Sequence, residues 1–300
     1  MTSDAVVDLV VNPTAGRGRA ARMLPAVREG LARRQVEARI RLTESIDDIG
    51  RFVAEARDAG ADRVVVMGGD GTVHAALGAL AGSDTALAII PTGTGDDNAR
   101  TLGIPLGDPL AALDVALTAG VRRVDLGRVE CVESTEYFLG VLSTGFDSAV
   151  NERANRMRWP TGKARYIAAI AGELRTFRPV PYRAELDQRE VGGTAMLVAV
   201  GNGVSYGGGM RVCPEAVPDD GLLDVTWLGG VPTRTFLRVF PSVFSGRHVD
   251  SPFVATGRAE RIVLDAPGQI AYADGERVGA LPVEIHVVPG ALAVVAPSTP

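Results

Sequence analysis

Over the first 125 residues, short β-branched runs alternate with amphipathic stretches, and that alternation leaves few folds open. Val6–Val11 ends in Asn12-Pro13, Val36–Leu42 alternates outward Glu and Arg with inward apolar residues, Arg63–Met67 runs into a glycine turn, and Ala86–Ile90 ends in Pro91. Between them, Arg19–Arg34 and Asp47–Ala59 carry apolar residues at i, i+3, i+4 spacing, and a third helix runs through Leu80. Strands separated by helices of this length pair in parallel as βαβ units. A helical bundle would not put glycine or proline directly after its β-branched runs.

From about Val124 the period changes. Tyr137–Leu142, Thr194–Val200, Leu223–Leu228, Arg261–Leu264, Val283–Val287 and Ala291–Val295 are short β-rich runs between Gly/Pro/Asp turns, with helical stretches at Gly162–Arg175 and Thr233–Phe244. This predicts an α/β N-terminal domain with a parallel sheet over residues 1–127, then a C-terminal antiparallel β-sandwich over 128–300.

Composition narrows function. The net charge of −5 lacks the basic footprint of a nucleic-acid binder. Lys163 is the sole lysine, and it follows neither a Walker-A loop nor an early strand, which excludes P-loop NTPases and protein kinases. The start has no signal-peptide pattern, no uncharged apolar run is long enough to span a bilayer, and Cys131 and Cys213 make no metal-ligand spacing. A cytoplasmic protein with reduced thiols is expected.

Three glycine-bearing loops follow predicted parallel strands: Asn12–Gly16, Gly68–Thr72 and Pro91–Asp97. Open α/β sheets bind ligands at such carboxyl ends, where glycine lets backbone N–H groups approach a phosphate. Any one loop is equally well plain turn chemistry. Asp70 sharpens the reading, because a carboxylate inside a phosphate-binding turn is repulsive unless a cation intervenes. With Asp97 and Asp125 near the same sheet edge, the carboxylates suit Mg²⁺. Helix capping is the alternative for Asp97, and a solvated strand start for Asp125. In the second domain, Pro218–Asp224 is either a hairpin turn or a small cation loop. Ala273-Asp274-Gly275-Glu276 reads as a type I′ turn whose carboxylate has the chemistry to take a proton from a hydroxyl.

Taken in order, Gly-Gly-Asp-Gly-Thr at 68–72, Pro-x-Gly-Thr-x-x-Asp-x-x-Arg at 91–100, Gly-Asn-Gly…Gly-Gly-Gly at 201–209, Asp-Asp-Gly-Leu-Leu-Asp at 219–224 and Asp-Gly-Glu at 274–276 resemble the diacylglycerol kinase catalytic family. That family includes bacterial soluble lipid kinases and the sphingosine and ceramide kinases, and Gly-Gly-Asp-Gly is shared with NAD kinases. The resemblance implies an ATP- and Mg²⁺-dependent kinase of a lipid hydroxyl, foremost diacylglycerol, with its site between the two domains. It implies nucleotide contacts at Asn12, Pro13, Thr14, Ala15, Gly16, Thr43, Gly69, Asp70, Gly71, Thr72, Val73, His74, Ala75 and Thr94, and a catalytic base at Asp274. A catalytic Mg²⁺ would be organised by Asp70, Asp97 and Asp125, and a structural one by Asp220 with the carbonyls of Val217 and Leu222. Its partners would be ATP, a lipid and transiently a membrane surface. The apolar side chains around Trp159, Tyr166, Ile167 and Ile170 are a candidate face for that contact, and ordinary helix packing is the equal alternative. A homodimer and a location peripheral to the membrane are further expectations. Two departures stand out. His74-Ala75 replaces the family's usual Asn-Glu, and polar Asn98 replaces an apolar residue.

Three rivals fit parts of the chain. Gly16–Ala21 with Glu44 approximates a nicotinamide-binding fingerprint, but Asn12–Ala15 intervene between strand and glycines. Gly203-Val204-Ser205-Tyr206-Gly207 with His286 matches a serine-hydrolase elbow, but Gly207–Gly209 cannot start the helix it needs. A non-catalytic nucleotide-binding regulator would keep the glycine loops and have no use for Asp274.

Overall fold

The computed structural model describes residues 6–157, 159 and 163–297, the side chains of 163–167 excepted. Its first layer grows from β1 (Val7–Val11), β2 (Ala38–Leu42), β3 (Arg63–Gly68) and β4 (Ala86–Pro91), in the spatial order β2-β1-β3-β4 and parallel throughout. β1 and β4 are buried along their whole length, as expected of central parallel strands covered on both faces, whereas edge strand β2 is half exposed. The covering helices are α1 (Ala15–Arg33), α2 (Asp47–Asp58), α3 (Asp70–Leu80) and, beyond the short α4 (Asp97–Thr101), α5 (Pro109–Thr118). Leu24, Val27, Ile49, Val53, Val73, Leu77 and Leu113 pack with Leu9, Val65 and Ile89 in one core.

α1 is regular only after Gly18. Gly16, Arg17 and Gly18 have φ values of 57°, 59° and 77°, and a Cβ on Gly16 would collide with the carbonyl of Thr92. Glycine is required there, as the phosphate-loop reading expects.

β5 (Val121–Glu130) leaves this layer, and the predicted boundary at 127 falls inside it. Asp125 lies mid-strand rather than at a strand start, because Val121–Val124 already pair with the last strand. The predicted run Tyr137–Leu142 is divided into β6 (Thr135–Phe138) and β7 (Val141–Gly145), for a reason that belongs to the site. Two helices follow, α6 (Phe146–Arg156) and α7 (Lys163–Thr176), and then β8 (Val180–Leu186), β9 (Arg189–Gly201) and β10 (Leu223–Gly229). The predicted helix Thr233–Phe244 stops as α8 (Thr233–Val239) and continues as 3₁₀ turns over Phe240–Ser245, since Pro241 has no N–H for the α-helical ladder. β11 (Val254–Ala259), β12 (Arg261–Asp265) and the hairpin β13 (Ile270–Ala273)–β14 (Glu276–Ala280) complete the antiparallel sandwich-like half.

The two predicted terminal runs are a single strand, β15 (Val283–Val295). Its first half pairs with β12, it pairs with β5 along most of its length, and Val294 reaches Leu87 of β4. Ala291–Ala296 therefore belong to the first core although they end the described chain. Gly290, at φ 58° within a register shift, lets the strand bend across both halves. No described helix is long and apolar enough to cross a membrane. Of the four residues proposed as a membrane face, Trp159 is 83% exposed. Ile170 packs against Phe146, Val150 and Ala154, while the side chains of Tyr166 and Ile167 lie outside the described residues.

Candidate active site

The three glycine loops meet at the carboxyl ends of β1, β3 and β4. The N–H of Asn12 donates to the carbonyl of Met67 at 3.0 Å, and that of Thr92 to Gly68 at 2.8 Å. A Cβ on Gly69 would stand 3.0 Å from the Cα of Gly93, so the second and third loops touch. Asn12 orders the first loop by accepting from the N–H and hydroxyl of Thr14 at 3.1 and 2.8 Å, and its amide donates to Thr72 Oγ1 at 3.3 Å. Pro13, Ala15, Gly16 and Gly71 are half-buried, Thr14 and Thr94 are exposed, and Thr43 is buried with its N–H on the carbonyl of Val11. Val73 is buried in the first core, which leaves only its backbone for a nucleotide. Arg19, not singled out from sequence, lies beside this loop cluster with Nη1 3.5 Å from the carbonyl of Gly93. Its signal was a cation immediately after the glycines.

Asp70 opens α3. Its Oδ1 accepts the N–H of Asn98 at 3.0 Å, and a Cβ on Gly95 would lie 2.9 Å from its Oδ2 and 3.2 Å from Oδ2 of Asp97. Burial pushes the Asp70 carboxyl up to about 6. The Asn98 N–H opposes the rise, and the negative charges of Asp97 and Asp274 add to it. This is a site short of positive charge.

Asp97 is more fully engaged. The hydroxyl of Ser205 donates to its Oδ1 at 3.1 Å and the N–H of Gly208 to its Oδ2 at 2.6 Å, with Arg100 at 3.9 Å. The 201–209 loop thus clasps the first half of the chain through Asp97. Ser205 is buried, and Gly207, Gly208 and Gly209 behind it have φ of 62°, 86° and 105° instead of the helix a nucleophile elbow needs, which disposes of the hydrolase reading.

The second half contributes Asp274 at the tip of the β13–β14 hairpin. Asp274 and Gly275 have φ values of 52° and 90°, as a type I′ turn requires. Asp274 Oδ1 accepts the N–H of Gly140 at 2.9 Å and Oδ2 that of Leu139 at 3.0 Å. Those two N–H groups are why β6 and β7 are separate: the carboxylate takes the donors that a continuous strand would have used. The hairpin also reaches the glycine loop that opens α3, since a Cβ on Gly71 would lie 2.7 Å from Glu276 Oε1. Asn98 flanks Asp274 across Gly140, where a Cβ would meet Oδ1 of Asp274 at 2.7 Å and of Asn98 at 2.9 Å. His74 faces Asp274, and with Gly71 and Ala75 it lines a cavity that is bounded also by Ile46 and Gly50.

Two expected cation sites change. Asp125 is not part of a three-carboxylate cluster, and no group of three His, Cys, Asp or Glu able to hold a metal exists among the described residues. Its Oδ1 accepts the N–H of Gly290 and its Oδ2 that of Gly221, each at 2.7 Å, so it pins the β15 bend to the 218–221 loop. At the second site, Asp220 accepts the N–H of Leu222 at 3.1 Å and is ion-paired with Arg258, whose Nε also lies 3.3 Å from Asp224 Oδ2. The Arg258 guanidinium occupies the anionic side of the loop where Asp220, Val217 and Leu222 were expected to hold Mg²⁺.

Comparison with known proteins gives the family. The family model described as the diacylglycerol kinase catalytic domain matches residues 7–129, and that of the YegS C-terminal NAD kinase beta sandwich-like domain matches residues 140–296. A Mycobacterium tuberculosis protein named diacylglycerol kinase is 42% identical over 293 residues, covering 97% of this chain and 95% of its own length. The chain belongs to the diacylglycerol kinase family. This lipid kinase is also 30% identical over 267 residues to the Salmonella paratyphi A protein named "Probable lipid kinase YegS", covering 86% of this chain and 85% of that protein. A solved diacylglycerol kinase structure from Bacillus anthracis shares its fold, with a TM-score of 0.74, 23% identity and 99% of both chains covered. The family membership leaves the nicotinamide oxidoreductase reading without support.

Proposed function

We propose that this lipid kinase transfers the γ-phosphoryl group of ATP to the free hydroxyl of diacylglycerol. The observation that carries the reading is the convergence of the Asp274 hairpin on the glycine loop that opens α3, a proton acceptor against a phosphate cradle. The backbone N–H groups of the loops hold the phosphates, with Arg19 beside them. The Asp274 carboxylate takes the acceptor's hydroxyl proton as that oxygen bonds to the γ-phosphorus, and the bond to the β-phosphate oxygen breaks to release ADP. Asp70 is the residue that fits Mg²⁺, completed by substrate phosphates. Its raised carboxyl, crowded by Asp97 and Asp274, is what a cation would relieve. When bound, the ion neutralises charge on the transferring phosphoryl group. Diacylglycerol resides in a bilayer, so transient contact with a membrane surface is part of the proposal.

Transfer of label from γ-labelled ATP to diacylglycerol in mixed micelles is expected to require Mg²⁺, to stop on adding EDTA and to return with excess Mg²⁺. Transfer undiminished in EDTA, or no transfer in Mg²⁺, would overturn it.

A further inference from the structure

His74 departs from the residue usual in its family, and the structure sets it facing Asp274. It sits one turn after Asp70 on α3, 11% exposed, with Nδ1 3.5 Å from Oδ2 of Asp274, which is 2% exposed. That nitrogen is buried and makes no hydrogen bond among the described residues, so its approach to Asp274 is an ion-pair contact in which the donor still lacks an acceptor. An Nδ1–H suits this approach, since a bare ring nitrogen would set one lone pair against another. The two backbone donors from Leu139 and Gly140 fix the carboxylate from one side. Nothing else on α3 is shown holding it from the first half of the chain.

We infer that His74 is a positioning residue for Asp274, its Nδ1–H serving as the third donor that aims the carboxylate at the acceptor hydroxyl. The inference rests on Asp274 being the base. The groups around the imidazole agree with it. Burial works against the charged ring, but the nearby carboxylate of Asp274, with Glu276 and Glu136 behind, raises its pKa overall. Asp47 and Arg277 rim the same cavity of about 390 Å³. Binding ATP places no demand on this contact, so the residue should act on kcat and not on nucleotide affinity.

Three substitutions separate the alternatives. Asparagine places an amide N–H close to where Nδ1 stands, glutamine carries it about one methylene too far, and alanine removes it. His74→Ala and His74→Gln are expected to lower kcat about 10- to 100-fold, the order of loss that a misplaced catalytic group produces. KM for ATP should be nearly unchanged, and His74→Asn should restore most of the lost kcat. His74→Ala added to Asp274→Asn should cost nothing further, because the group it positions is already gone. Parental kcat in His74→Ala, equal losses in the Asn and Gln variants, or a loss confined to KM for ATP would each overturn the inference. Unchanged turnover in Asp274→Asn alone would instead remove the base on which it stands.

Discussion

Asp274→Asn is expected to lower turnover by about 10²–10⁴-fold, the contribution of general-base catalysis, while ATP affinity stays nearly unchanged. Asparagine tolerates the left-handed backbone at this position, φ 52°, and keeps the side chain's shape, but an amide has no useful proton affinity near neutral pH. It also accepts only one of the two N–H bonds now given by Leu139 and Gly140. Leaving a buried donor unpaired costs about 1–3 kcal/mol, so turnover belongs well below the melting transition. Label transfer and nucleotide titration on one folded preparation check the result. Near-parental turnover would remove Asp274 from the mechanism, and lost ATP affinity would make it a nucleotide ligand.

A second large effect is expected in stability, away from the chemistry. Asp147 begins α6 with its side chain buried beside Phe146, Leu228, Phe236 and Phe240, and its Oδ2 has no hydrogen-bond partner. Burial alone pushes its carboxyl up to about 7. The unfolded chain releases this proton near pH 4, so between about 4 and 7 the folded state holds a proton that the unfolded state does not. The group's contribution is therefore fully present below pH 4 and declines by about 1.4 kcal/mol per pH unit until the folded carboxyl ionises. Asp147→Asn is neutral at every pH and escapes this decline. Its melting temperature should be close to the parent's at pH 4 and higher by roughly 5–10 °C at pH 8. A difference that does not change with pH would contradict the assignment.

How much of this was legible in sequence follows from how far apart the interacting residues lie. β1 to β4, helices α1 to α3 and the Asn12–Thr14 loop are local patterns, and periodicity and turn chemistry found them, whereas α4 and α5 went unread. The type I′ turn at Asp274 was readable because Asp-Gly specifies its own backbone. The Asp97 clasp was not, since Ser205 and Gly208 lie 108 and 111 residues away. Asp125 looked like a cation ligand because a carboxylate's partners cannot be read when they are backbone N–H groups 96 and 165 residues distant. The ion pair of Asp220 was equally hidden, since its partner Arg258 lies 38 residues on, in β11. β15 was divided at Pro289-Gly290 because those residues signal a turn, whereas pairing with β5 on both sides carries the strand through a bulge.

A lipid hydroxyl is the proposed acceptor for a phosphoryl group held by the glycine loops. The most direct test is one experiment with γ-labelled ATP and Mg²⁺ against diacylglycerol, monoacylglycerol, sphingosine, ceramide, an isoprenoid alcohol and NAD. The predicted result is label in phosphatidic acid, with the highest kcat/KM on diacylglycerol. Label in NAD and in no lipid would contradict it.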